Sequence, residues 1–283
     1  MRYILVLTLM ISLTPVNGQT PEDARDKVYY PGDTESVKPL ARKLAGNLWL
    51  DQKEIWTSPF RLKKKNAPYW IGFTAVTAAL IATDRRTSKT FGNSNAQIRW
   101  GNRISDIGSI YTVIPVVAGI YGLGIWKDNP KARETGVLSA QALLDSLIVV
   151  EVLKPIAGRN RPEAIKDRGN FFRGGSSFPS GHAIESWAFA SVVSHEYSHT
   201  KWVPFVAYGL AGTVSCARFA AQKHYASDIV AGGAMGWFIG RFVYRTHQDH
   251  SLHKHAWAEP LITPQFQPSS GTYAIGLTFR PGL

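Results

Sequence analysis

Between Pro68 and Tyr244 the chain runs through a series of apolar segments rich in glycine, alanine and aromatic residues. Six of them, residues 68–83, 107–126, 134–153, 181–199, 202–217 and 228–245, have the length and texture of helices that bury apolar faces against one another. Only 107–126 is free of charge over a membrane-spanning length, and it contains Pro115 and four glycines. In the last segment Gly232, Gly236 and Gly240 recur every fourth residue, a spacing that lets a neighbouring backbone approach closely in water or in lipid.

The flanks differ in texture. At the N-terminus Arg2, an apolar run from Tyr3 to Leu13 and the small-residue signal Val16-x-Gly18 read as a cleaved secretory signal over 1–18, because the run is too short to span a bilayer. Residues 19–66 form a polar lead-in in which Leu40, Leu44, Leu48 and Ile55 share a helical face, followed by a solvated basic run, "RLKKKN". The helical region is bounded at 67–245. Residues 246–283 begin with the His-rich "THQDHSLHKHAWAE" and end in "GTYAIGLTF", where Tyr273, Ile275, Leu277 and Phe279 alternate with small or polar residues. With "PLITPQF" before it, that alternation predicts a short β-hairpin.

Charge and cysteine usage set bounds on chemistry. With 32 Lys plus Arg against 20 Asp plus Glu, the net charge of +12 favours anionic partners such as phosphorylated substrates, nucleic acid or lipid headgroups, without choosing among them. The single cysteine, Cys216, excludes an intrachain disulfide and a cysteine metal cluster, and its apolar context "GTVSCARFA" predicts a small buried packing residue.

Two catalytic signatures sit at opposite ends of the segment 181–199. The C-terminal one, "HEYSH" (His195 to His199), matches the zinc-hydrolase pattern H-E-x-x-H. It lacks a nearby third ligand: the next glutamate is Glu259, beyond two further apolar segments. The pattern reads as a polar helix end whose histidines suit the negative pole of the dipole. The N-terminal signature, "PSGH" (Pro179 to His182), has partners on both sides. "KPIAGRNRP" before it carries Lys154 and Arg161-Pro162, and "ARFAAQKHYASD" after it carries Arg218, His224 and Asp228.

In chain order these residues read K-x6-R-P, P-S-G-H and R-x5-H-x3-D. Over about residues 68–245 the sequence resembles the type-2 phosphatidic acid phosphatase and vanadium haloperoxidase superfamily, and three motifs in order are far more specific than one. The resemblance implies an all-α fold, a six-helix core bundle with the first motif ending the third helix, the second opening the fourth and the third leading into the sixth. It also implies a metal-independent phosphatase acting on a phosphate monoester or diphosphate, phosphatidate or a polyprenyl diphosphate among them, through a phosphohistidine intermediate.

The residue types suit that chemistry. A phosphoryl group in transfer spreads negative charge over three oxygens, which preorganised cations and amide donors stabilise. Lys154, Arg161 and Arg218 supply the cations. Ser180 and Gly181 open a helix, where unpaired N–H groups and the dipole favour an anion. The spacing of His224 and Asp228 lets the carboxylate accept from one ring nitrogen and leaves the other to attack phosphorus, while His182 in the first helical turn protonates the leaving oxygen. One departure from the family pattern is Ala217, where serine usually precedes the motif arginine; Ser215 or a water is the expected substitute.

The implied partners are a phosphorylated substrate, lipid or soluble, and a membrane surface, with no nucleic acid. No cofactor is expected for the phosphatase; vanadate is its inhibitor, or the cofactor in the alternative reading of a haloperoxidase-like oxidase, whose chains are usually much longer. A non-catalytic membrane-associated scaffold is the third reading. A cleaved signal followed by six crossings puts the site in the cytoplasm, whereas membrane members of the family face the other way. A periplasmic or peripheral bundle resolves that conflict and suits the mean hydropathy of −0.11; an integral membrane protein is the alternative.

Overall fold

Eight α-helices lie among the described residues: α1 Val37–Thr57, α2 Ala67–Thr87, α3 Asn95–Ser105, α4 Ile110–Trp126, α5 Pro130–Ala157, α6 Gly181–Glu196, α7 Trp202–Ala220 and α8 Ala226–His247. The structure, a computed structural model, describes residues 37–61, 64, 67–89, 92, 94–164 and 169–248, and the backbone of 259–267 and 272–280. The signal segment 1–18, most of the basic run at 61–66 and most of the His-rich stretch fall outside them. The helices up to Gln248 form one unit, and the C-terminal hairpin belongs to another. In that hairpin β1 Glu259–Gln267 pairs antiparallel with β2 Thr272–Arg280, Glu259 opposite Arg280 and Gln267 opposite Thr272.

The six segments expected from the sequence correspond to α2 and α4 through α8, and the amphipathic lead-in to α1. The exception is at the start of the second segment. A separate helix, α3, precedes it, a 3-10 turn over Asp106–Gly108 follows, and α4 begins at Ile110 rather than 107. In α3, "NAQIRWGNRIS" is polar, so a search for apolar runs passes over it. Ser94 caps it by accepting a hydrogen bond from Gln97 N. In α5, Pro130 occupies the first turn behind Asn129, whose side chain accepts from Ala132 N. The helix stops at Gly158, whose φ of +50° suits glycine.

Helix α6 is the hub, packing on α5, α7 and α8. Leu138, Ala142, Val149 and Val150 of α5 meet Ile184, Ala188 and Val192 of α6 and Ile239 and Val243 of α8 in the main core. The glycine stripe brings α8 onto α6 with backbone in contact: a Cβ on Gly236 would stand 2.1 Å from Ile184 O, and one on Gly240 2.3 Å from Ala188 O. Gly236→Ala is therefore expected to cost roughly 1–3 kcal/mol, because the helices must part to admit a methyl group. The measurement is thermal unfolding; a wild-type Tm would contradict the close approach.

One end of the bundle gathers the ends of α5 and α7 and the starts of α6 and α8. Ser180 N donates to Asp228 O at 3.1 Å, and Gln97 Nε2 to Ala220 O at 2.8 Å. At the opposite end Lys131 lies 5.0 Å over the Tyr197 ring and His195 stacks on Tyr244. There too α1 joins α8 through a buried polar cluster, in which His247 Nε2 and Asp51 Oδ2 are 2.7 Å apart and Gln141 Nε2 donates to Asp51 at 3.2 Å.

The outer faces are apolar. Tyr111, Ile114, Leu123 and Trp126 on α4 and Trp202, Phe205 and Leu210 on α7 are exposed. Three stretches, Asn95–Trp126, Pro130–Ala157 and Trp202–Ala220, are long and apolar enough to cross a membrane. Cys216 belongs to this outward surface. It is exposed, not the buried packing residue expected, because in such a helix the apolar residues face outward as well as inward.

Candidate active site

All three motifs meet where α6 begins. Lys154 comes from the last turn of α5, Arg161 from the loop after it, Ser180 to His182 from the first turn of α6, Arg218 from the last turn of α7, and His224 and Asp228 from the turn into α8. A Cβ added to Gly181 would sit 3.7 Å from Lys154 Nζ, so the ammonium lies against the helix N-terminus. Three donors here are buried without a protein partner among the described residues: Ser180 Oγ, Arg161 Nε and Arg218 Nε. Buried donors of this kind normally find an acceptor, and an oxyanion at the start of α6 would supply one to each.

His182 reports the same convergence electrostatically. Burial first, then the charges of Arg218, His224, Lys154 and Arg161, push it down to about 3. His224 is also lowered, chiefly by burial, against the opposing pull of Asp228.

The expected bond from His224 to Asp228 is not the one formed. His224 Nδ1 donates to the Ser177 carbonyl at 2.7 Å, while the nearer Asp228 oxygen, Oδ2, is 3.8 Å away. That oxygen is already engaged, accepting from Ser177 Oγ at 2.6 Å and from Tyr225 N at 2.8 Å, the latter as part of the α8 cap. The outcome for the ring is the same: a proton fixed on Nδ1 and a lone pair on Nε2. Asp228 acts on it through the field and through Ser177.

Two serines are engaged near Ala217, where the family pattern has serine. Ser215 Oγ accepts from Trp187 Nε1 at 3.0 Å, whereas Arg218 Nη1 donates to Ser105 Oγ at 3.3 Å. Ser105 ends α3, and no local spacing signals it. The "HEYSH" signature stands apart: thirteen residues of helix, about 20 Å, separate His195 from His182. His195 Nδ1 donates to Ser191 O at 2.6 Å.

The fold and site together define a helical-bundle protein whose histidines and cations converge on one helix N-terminus. Residues 136–252, the stretch that carries all three motifs, match the model of the PAP2 superfamily. Over 147 residues it is 26% identical to the lipid A 1-phosphatase of Porphyromonas gingivalis, an alignment covering 51% of this chain and 31% of that protein. The chain thus spans about a third of the length of that curated relative. Among solved structures it is similar to the transmembrane PAP2-type phosphatidylglycerolphosphate phosphatase of Bacillus subtilis, with a TM-score of 0.51 at 20% identity over 65% of this chain and 96% of that one. It also aligns with Aquifex aeolicus LpxE, at a TM-score of 0.44 and 20% identity over 57% of this chain and 92% of that one.

Proposed function

We propose that this chain is a membrane-associated phosphatase that cleaves a phosphate monoester or diphosphate borne by a lipid, through a phosphohistidine on His224. The observation that carries the reading is the meeting of three cations, two histidines and the α6 N-terminus around three partnerless buried donors. Lys154, Arg161, Arg218, Ser180 and the first amides of α6 hold the phosphoryl oxygens. His224 Nε2 attacks phosphorus, and His182 gives its proton to the leaving oxygen. A water then cleaves the N–P bond, with His182 as its base.

A lipid substrate is favoured by what surrounds the pocket. Ile156, two residues from Lys154, and Phe172, in the loop before Ser180, are exposed at the site end of the bundle. The outward faces of α4 and α7 are apolar, and the relatives whose names state a substrate act on lipid phosphates. Export to the periplasm, expected from the N-terminal segment, belongs to the same proposal.

The test is phosphate release from dispersed phosphatidate, a polyprenyl diphosphate and a soluble alkyl phosphate, with chelator present throughout. Release is expected to be fastest from the lipids, and vanadate to compete with substrate because a basic pocket prefers the trigonal-bipyramidal oxyanion. Vanadate binding should also take up a proton near neutral pH, since an anion offsets the cations that hold His182 unprotonated. Calorimetry in buffers of different ionisation enthalpy measures that uptake. Folded protein that releases nothing, or that ignores millimolar vanadate, would count against the pocket.

A further inference from the structure

The deepest arginine near the site is not one of the motif cations. Arg159 is 1% exposed, with its guanidinium between the Phe171 ring at 4.6 Å and the Tyr225 ring at 4.3 Å. Its edge joins two carboxylates. Nη2 donates to Asp84 Oδ2 at 2.7 Å, Nη1 to Asp228 Oδ1 at 2.5 Å and to Ser227 Oγ at 2.7 Å, and Nε to Gly169 O at 3.3 Å.

Asp84 reaches this cluster from α2 and is fully buried. It accepts from Ser227 N at Oδ1 (3.2 Å) and from Ser227 Oγ at Oδ2. Every contact made by the carboxyl oxygens of Asp84 and Asp228 here is with a donor, as suits ionised carboxylates. Two such carboxylates around one guanidinium leave a net charge of −1 in a dry place, which is costly unless a positive charge stands near. The neighbour that can supply it is His224, whose Nδ1 is 3.8 Å from Asp228 Oδ2.

Phosphoryl transfer would supply that charge. As the Nε2 lone pair forms the N–P bond and the P–O bond to the leaving group breaks with its electron pair, the ring keeps its Nδ1 proton on Ser177 O and becomes cationic. We propose that Asp84 is a positioning residue for this step: through Arg159 and Ser227 it fixes the Asp228 carboxylate, and its charge makes the buried cluster a counter-ion for the ring as the bond forms. This rests on His224 as nucleophile.

The experiment compares wild type with Asp84→Asn, which keeps the shape and removes the charge. Single-turnover formation of the phosphoenzyme should fall about 100-fold, equally on a nitrophenyl and an alkyl phosphate, while the affinity for inorganic phosphate, a ground-state ligand, stays within about threefold. Those readouts separate this role from a structural one, which would lower the fraction of sites that bind phosphate and leave the rate per site unchanged. Ser227→Ala is a smaller change that carries the test where Asp84→Asn folds poorly: the rate per site should fall about three- to tenfold with phosphate affinity kept. A wild-type rate per site in either variant, or a loss confined to phosphate affinity, would overturn the role of Asp84. Absence of any phosphoenzyme in the wild type would instead overturn the nucleophile.

Discussion

The expected result for His224→Ala is loss of turnover on every phosphate ester, by at least about 10⁴-fold, with no phosphate left on the protein. The ring is the atom source for the bond to phosphorus, and it is buried in one orientation by its Nδ1 bond to Ser177 O. His182 is held among the cations Lys154, Arg161 and Arg218 and has no carbonyl lock of this kind among the described residues. A better leaving group offers no rescue, because the missing step is attack and not departure. The measurement is quench-flow with labelled substrate, the quenched samples being divided between acid and alkali. A phosphoramidate survives alkali and hydrolyses in acid. Label that persists on His224→Ala after alkaline quenching would move the nucleophile elsewhere.

The second large effect separates His182 from His224 by leaving group. His182→Ala should cost roughly 10²- to 10⁴-fold on an alkyl phosphate, whose alkoxide needs a proton, and far less on a nitrophenyl phosphate, whose phenolate leaves unaided. The phosphoenzyme should still form. Equal losses on the two substrates would assign His182 to binding alone. The same variant carries a pH signature. In the folded protein burial and the neighbouring cations hold His182 down to about 3, while the unfolded chain takes up that proton near 6.5. Between those values the unfolded chain binds more protons, so the contribution to stability is present above about 6.5 and is lost as pH falls toward 3. His182→Ala should remove that part of the acid sensitivity, as read from denaturant midpoints across the range.

Much of this site was legible because phosphoryl chemistry demands particular residue types at fixed spacings, and all eight named positions meet at one end of the bundle. What escaped has a physical reason in each case. Asp84 and Arg159 are 75 positions apart, and the meaning of a lone aspartate in "LIATDRR" appears only when α2 lies against the start of α8. Ser105 serves Arg218 across 113 positions, from a polar helix that a search for apolar runs does not see. The His224 bond went to a carbonyl rather than to Asp228 because the α8 cap and Ser177 had already taken the carboxylate oxygen, a competition that i, i+4 spacing does not express. Cys216 was misplaced because apolar sequence marks burial only when water is the surroundings.

The α1–α8 cluster around His247 and Asp51 puts the exit from α8 at the end of the bundle away from the pocket. On the proposal that the bundle crosses the bilayer as a phosphatase, this is a handle on sidedness for protein reconstituted in vesicles. An affinity graft placed at Gln248 would capture vesicles whose enzyme opens its pocket to the lumen, and would let those with outward-facing pockets pass. A single column would then divide a mixed preparation into a fraction that attacks only enclosed substrate and one that attacks only substrate added from outside.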